Sequence, residues 1–234
     1  MELTLTNPHS VAAALRSRPG DVRSLRLPGN VDGTPWREVA NLAEKHGVTV
    51  ARKSAGEHAE ARVRPRRAMT WEEIVTAPRD DDRPQLWLAL DQVQDPHNVG
   101  AIFRTAGYFG VRGVLLSERR SASLTSTVYD VASGGVEAVP HAIETNLRRA
   151  IERAKEAGIW ALGTSEHAKE SLQQAAPDRP WLVIVGNEES GLRRLTLESC
   201  DAVYRVPGAG DVDSLNVSVA TGITLASLAL APPS

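Results

Sequence analysis

"GDVDSLNVSVATGITLASLAL", residues 210–230, sets a polar turn directly ahead of a long apolar helix. One capping side chain is enough to start a helix, and Asp211, Asp213 or Ser214 can each supply it. The stretch holds more than a cap: the run Pro207, Gly208, Ala209, Gly210 leads into it, and Leu215 and Asn216 follow Ser214. Polar and glycine residues beyond what capping requires predict a ligand at the start of this helix. The helix itself is expected over 215–232, buried in the core, and its Asn216, Thr221, Gly222 and Thr224 argue against a membrane span.

Working back from that helix, apolar runs recur at 86–90, 111–116, 136–140, 159–163, 181–186 and 202–207, with helical patterns between them. Strands that are apolar on both faces predict a parallel sheet covered by helices, hence an α/β fold. Ligands in such sheets lie at the carboxyl ends of the strands, where loops meet helix N-termini. Three of those loops stand out. "DQVQDPHNVGAIFRTAGYFG" (91–110) predicts a helix over 98–109 that places Arg104 on an otherwise small, apolar surface. "VGNEESGL" (185–192) brackets Asn187, Glu188, Glu189 and Ser190 between Gly186 and Gly191, and "VPGAGDVDSLNVSVA" (206–220) is the third. Singly, Asn98 reads as a helix cap, Arg104 as a surface cation, Glu188 as a turn residue and the glycines as turn formers.

Ahead of the sheet, "NPHSVAAALRSRPGDVRSLRLPG" (7–29) predicts a capped helix burying Val11, Ala14 and Leu15, a turn at Pro19-Gly20 and a strand at 22–27. A second such unit starts a helix at Pro35, stops it at Gly47 and predicts a strand at 48–50. The proline-rich, charged "TAPRDDDRPQ" (76–85) separates this small α/β module from the rest. The expected division is a first domain over 1–76, a linker over 77–84 and a second domain over 85–234.

Composition bounds the function loosely. The chain has 234 residues, 41% of them hydrophobic and 24% charged, as in an ordinary soluble protein. Its one cysteine, Cys200, cannot form an internal disulfide, and no Cys/His spacing predicts a metal site. No signal peptide is legible, so a reducing cytoplasm is expected. The net charge of −2 is uneven: residues 1–78 hold twelve Lys/Arg against nine Asp/Glu. Within them Arg52, Lys53, Arg62, Arg64, Arg66 and Arg67 face only Glu57 and Glu60, which is either a phosphate-backbone footprint or a solvated face. Asn7 and His9 offer either RNA contacts or a helix cap.

In combination and in order, "NVGAIFRTAGYFG", "IVGNEESGL" and "VPGAGDVDSLNVSVATGI" resemble the three motifs of the SpoU (TrmH-like) branch of the SPOUT RNA methyltransferases, over residues 86–234. The first module is similar to the ribosomal-protein-like domain that binds substrate in ribosomal RNA members. The resemblance implies a C-terminal deep trefoil knot, S-adenosylmethionine bound in the knotted loops, methyl transfer to a ribose 2′-hydroxyl, and a homodimer with the site at its interface. It assigns Arg104 the central role. A guanidinium stays protonated, so that role is expected to be holding a phosphate and stabilising alkoxide charge, not acting as a base. Asn98 and Asn216 are expected to hold Arg104 and the ribose, Ser214 to cap the last helix or touch substrate, and Glu188 to pair with Arg104 or orient cofactor-side groups. Gly186, Asn187, Glu188, Gly191, Val206, Pro207, Gly208, Leu215 and Asn216 are implied as the cofactor set, with Gly186, Gly191, Gly208 and Gly210 letting backbone pass close to backbone and to the cofactor. One departure is visible: Gly208 stands where the family has methionine. Ribosomal RNA is the expected substrate, with transfer RNA, or a non-catalytic knotted RNA-binding protein, as the alternatives. No membrane or metal partner is expected.

Overall fold

The computed structural model describes residues 2–54, 57–79, 84–176 and 179–230. The chain opens with β1 (Leu3–Leu5), α1 (Pro8–Ser17), β2 (Val22–Pro28), α2 (Trp36–Lys45), β3 (Val50–Lys53) and β4 (Glu60–Val63). Asn7 starts α1 by accepting the His9 N–H, with Pro8 at the first helical position, where a missing N–H does no harm. The strands form one sheet in the order β1-β4-β2-β3. Its inner face presents Leu3, Leu5, Leu25, Leu27, Ala61 and Val63, all buried, and leaves Thr4, Arg26 and Arg62 facing outward. The expected strand at 48–50 starts two residues later, and β1 and β4 were not foreseen. "EARV" alternates as a strand should, inside the stretch read as a basic cluster.

Next come α3 (Trp71–Val75), β5 (Leu86–Leu90), α4 (Pro96–Tyr108), β6 (Val114–Ser117), α5 (Ser126–Ala132), α6 (Gly135–Ala138), β7 (His141–Glu144), α7 (Leu147–Glu156), β8 (Trp160–Thr164), β9 (Glu170–Ser171), β10 (Trp181–Val185), α8 (Arg194–Leu197), β11 (Ala202–Arg205) and α9 (Val217–Ala229). The second sheet has the order β7-β6-β5-β10-β8-β11-β9, and every pairing in it is parallel. β5 and β10 lie adjacent at its centre and are buried along their whole length, which is why their sequences are unbroken apolar runs. Leu86, Leu88 and Leu90 face one helical layer, while Trp87 and Ala89 face the other with Trp71, Ile74 and Val75 of α3. A Thr70–Glu73 capping box starts α3, and the Trp71 indole N–H donates to the Ala150 carbonyl at 2.9 Å, so this short helix belongs to the large sheet's packing. Residues 80–83 of the expected linker lie outside the described residues.

Three sequence expectations are corrected here. Residues 136–140 do not form a strand: Gly135–Ala138 is helical and the strand follows at His141–Glu144. The run's Glu137 carboxylate is buried against Arg18 of the first module, 2.6 Å away, a partner no local pattern reveals. Of the run at 111–116 only Val114 onward is strand, continuing to Ser117. Finally, α9 spans 217–229, with 231–234 outside the described residues, and it is only half buried. Thr221, Thr224, Leu225 and Leu228 pack inward while Val219 and Ile223 remain 49% and 37% exposed. After β11 the chain returns so that α9 lies against α4 and β10. No helix among the described residues is long and apolar enough to cross a membrane.

The small sheet is fastened to the large unit through α5 and α6. Asp130 accepts from the Thr6 N–H and hydroxyl at 2.9 and 2.8 Å and from the Asn7 N–H at 3.1 Å. Asn7 Nδ2 donates to the Asp130 carbonyl at 2.8 Å, so Asn7 is both a helix cap and a tie between the two sheets. The Ser10 hydroxyl donates to the Tyr129 carbonyl at 2.6 Å.

Candidate active site

Asp91, fully buried, directly follows β5, and the loop it begins is shaped by what its carboxylate holds. Asp91 accepts from Arg193 Nε at 2.7 Å, from the Arg193 N–H at 3.2 Å and from the Thr196 hydroxyl at 2.7 Å, which pins the far end of the loop that follows β10. A buried carboxylate is tolerable only with such donors. Gln92 then turns with φ of 64°, left-handed for a residue with a Cβ, and its carbonyl accepts Asn187 Nδ2 at 2.9 Å. Asp91, Gln92 and Arg193 were not foreseen; the one signal was a polar residue at the carboxyl end of an apolar strand.

The loop after β10 is closed on itself. Asn187 and Gly191 exchange main-chain bonds at 3.0 Å, and Asn187 Oδ1 accepts the Glu189 and Ser190 N–H groups at 3.0 and 3.1 Å. Gly186 is required by close passage, since a Cβ there would lie 2.2 Å from the Gly191 carbonyl carbon. Gly191 itself has φ of 65°. At Gly208 and Gly210 no neighbouring backbone passes close: a Cβ on either meets nothing within 4 Å.

This loop delivers Glu188 to the N-terminus of α4. Its carboxylate accepts Asn98 Nδ2 at 3.0 Å, the Gln94 and Asp95 N–H groups at 3.3 Å each and Asn187 Nδ2 at 3.3 Å. Partial burial alone would raise its pKa. The Asn98 amide and the main-chain donors outweigh that and hold it below the usual carboxylate value, so it is an anion at neutral pH. Asn98 Oδ1 in turn accepts Asn216 Nδ2 at 3.0 Å, and Asn216 Oδ1 caps α9 by accepting the Ser218 N–H at 2.9 Å. Glu188 from the loop after β10, Asn98 from the first turn of α4 and Asn216 at the N-cap of α9 thus form one chain, Glu188–Asn98–Asn216.

Arg104 is not part of it. The expected pairing with Glu188, and the expected hold by Asn98 and Asn216, are absent. Arg104 is exposed and makes no hydrogen bond or ion pair with the described residues. Six residues separate it from Asn98, which puts the two side chains about 120° apart around α4 and about 9 Å apart along it. Ser214 is exposed in the loop, and Asn216, not Ser214, caps the helix. From Pro207 to Leu215 no main-chain group pairs with another main-chain group among the described residues, and all nine residues are exposed. Val206, at the head of this loop, is half-buried.

The basic cluster splits. Arg66 Nη1 donates to the Val136 and Val139 carbonyls at 2.6 and 2.7 Å, and the Arg66 N–H donates to the Tyr129 hydroxyl at 2.7 Å. Its guanidinium is therefore part of the junction between the sheets, and burial pulls its pKa down. Arg52 donates to the Pro28 and Gly29 carbonyls at 3.1 and 3.3 Å but stays exposed. Arg62, Arg64 and Arg67 are exposed, and the side chain of Lys53 lies outside the described residues. His9 is exposed beside the capping Asn7.

Comparison with known proteins matches residues 85–226 to the SpoU rRNA Methylase family. The chain is 39% identical to a Pseudomonas aeruginosa protein named 23S rRNA (guanosine-2'-O-)-methyltransferase RlmB, over 93% of this chain and 92% of that one. It is 35% identical to the Nitrosomonas europaea protein of the same name, over 93% and 87%. The SpoU methyltransferase AviRb from Streptomyces viridochromogenes, solved in complex with AdoMet, superposes with a TM-score of 0.81 at 21% identity, covering 98% of this chain and 90% of that chain.

Proposed function

The chain belongs to the SpoU rRNA methylase family, and from that membership we propose that it methylates a ribose 2′-hydroxyl of ribosomal RNA, with a guanosine in the large-subunit RNA as the target. The relatives with that activity in their names align with both modules of this chain, which favours a ribosomal over a transfer RNA substrate. The observation that carries the reading is the chain Glu188–Asn98–Asn216, which ties three loops together beside the unpaired main chain of 207–215.

S-adenosylmethionine supplies an electrophilic methyl group on a sulfonium. The residues present suit it: the free N–H and C=O groups between Pro207 and Leu215 are donors and acceptors for an adenine and a ribose, and the open space at Gly208 leaves room for them. Gly186, Asn187 and Gly191 hold the opposing loop rigid, and Glu188, fixed by its donors, acts on the loops more than on the substrate. Arg104 is a cation left free to bind. It holds the phosphate next to the target ribose, aligns the 2′-oxygen and stabilises the negative charge that develops on it. The proton passes to phosphate or water, because a guanidinium cannot accept it.

Arg52, Arg62, Arg64 and Arg67 are the proposed RNA contacts of the first module, read as phosphate contacts that position the substrate. The exposed apolar side chains Tyr108 on α4 and Val219 and Ile223 on α9 are covered by a second copy, which brings the two sites to one interface. Ribosomal RNA as substrate and the lone Cys200 fit a cytoplasmic enzyme. Calorimetric titration with S-adenosylmethionine, followed by labelled methyl transfer to ribosomal and transfer RNA offered together, tests the reading. Binding with label in ribosomal RNA alone supports it. Label in transfer RNA, or binding with no label in either, refutes it.

A further inference from the structure

We propose that Arg119 and Arg120, on the loop between β6 and α5, grip the RNA backbone between the small sheet and the reacting ribose. The inference rests on RNA being the substrate and adds to it a second contact surface, on the large unit instead of the first module.

β6 lies beside β5 on the side away from β10, so its loop flanks residues 91–95 opposite the loop of Glu188. Two bonds seat it there: the Gln92 N–H donates to the Ser117 hydroxyl at 3.0 Å, and the Ala122 N–H donates to the Val93 carbonyl at 3.0 Å. At its other end the loop enters α5 at Ser126, whose hydroxyl accepts the Thr4 N–H at 3.1 Å. Thr4 is in register with Arg62 on the outward face of the small sheet. The loop therefore runs from the carboxyl edge that carries Asn98 to the strand beside Arg62, and a polynucleotide touching both would pass it.

Both arginines are exposed and neither makes a hydrogen bond or ion pair with the described residues. Glu118 is the loop's one carboxylate, so two cations stand against one anion. Arg120 has φ of 55°, a left-handed conformation that a side chain this large rarely adopts. The Ser117 and Ser121 hydroxyls, 2.6 Å apart, close the turn around it. An exposed guanidinium with no partner in its own chain is free to meet the two-oxygen geometry of a phosphate. Phosphate contacts of this kind are indifferent to base sequence, and their signature is salt dependence.

The test is the double variant Arg119→Gln, Arg120→Gly, in which glycine accepts the left-handed backbone and so removes charge without adding strain. With ribosomal RNA as the probe, the Kd is expected to rise about tenfold or more and the slope of log Kobs against log salt to become shallower by roughly one to two. The KM for RNA should rise with kcat nearly unchanged, the Kd for S-adenosylmethionine should not move, and Arg120→Lys should keep most of the salt dependence. A double variant that binds RNA with the wild-type Kd and slope overturns the inference. So does one that loses RNA and S-adenosylmethionine affinity together, which would make the loop a structural support. If the wild-type protein itself fails to bind or methylate RNA, the functional reading falls and this inference with it, an outcome distinct from the other two.

Discussion

Asn98 Nδ2 donates to Glu188 Oε1 at 3.0 Å, and that bond is the middle of everything that joins the three loops of the site. Glu188→Gln keeps the shape but turns an amide N–H toward one of the donors now facing a carboxylate. Glu188 is exposed, so loss of the charged acceptor costs about 0.5–1.5 kcal/mol. An unfolding free energy lowered by that amount in chemical denaturation, with weaker S-adenosylmethionine binding, is the expected result. The native pKa of Glu188 is lowered, so its contribution to stability is complete above the ordinary carboxylate value. It is lost only as pH falls through the lower folded one.

Arg104→Ala should behave in the opposite way. The side chain is exposed and without a partner in the chain, so thermal stability should stay within about 0.5 kcal/mol of wild type. Methyl transfer should fall by about two orders of magnitude or more, as for loss of a group that stabilises developing charge. Calorimetry should find S-adenosylmethionine binding unchanged; a parallel loss of binding would contradict the role given to Arg104.

Two glycines of the expected cofactor set should respond differently to substitution. Gly186→Ala forces a Cβ to 2.2 Å from the Gly191 carbonyl carbon, so the loop must open. A clear loss of melting temperature and of S-adenosylmethionine affinity should follow. Gly208→Met, which restores the family's usual residue, meets open space. Stability should be unchanged within about 0.5 kcal/mol, with cofactor affinity equal or higher.

His141 sets an acid limit. Burial first, and the nearby Arg66 second, push its pKa down to about 4, against an ordinary value of 6.5. The folded protein holds it neutral while the unfolded chain protonates it earlier. Stability from this group is therefore complete above pH 6.5 and declines as pH falls from 6.5 toward 4, by at most about 3 kcal/mol. Chemical denaturation across pH 4–7 should show the decline in wild type and a flatter curve in His141→Phe.

What the sequence revealed and what it hid divide along physical lines. β5 and β10 were legible because strands buried on both faces must be apolar throughout, and the three motif loops because their polar residues exceed what capping needs. Residues 136–140 were misread because the pairing of Glu137 with Arg18 is made across the two sheets. Arg66 was misread for the same reason: the Val136 and Val139 carbonyls that hold it are some seventy residues away. The identities of Glu188, Asn98 and Asn216 came from motif resemblance, but their mutual bonds did not. Asn98 and Arg104 do not meet within one chain because helix geometry sets residues six apart on different faces.

The central claim is that a ribose oxygen of ribosomal RNA receives the methyl group. The direct measurement is mass spectrometry of nucleosides from large-subunit ribosomal RNA, made without the modification and incubated with the protein and S-adenosylmethionine. A gain of 2′-O-methylguanosine that maps to one position and is absent with Arg104→Ala is expected. Methyl groups on a base, or no gain in 2′-O-methylguanosine, would contradict it.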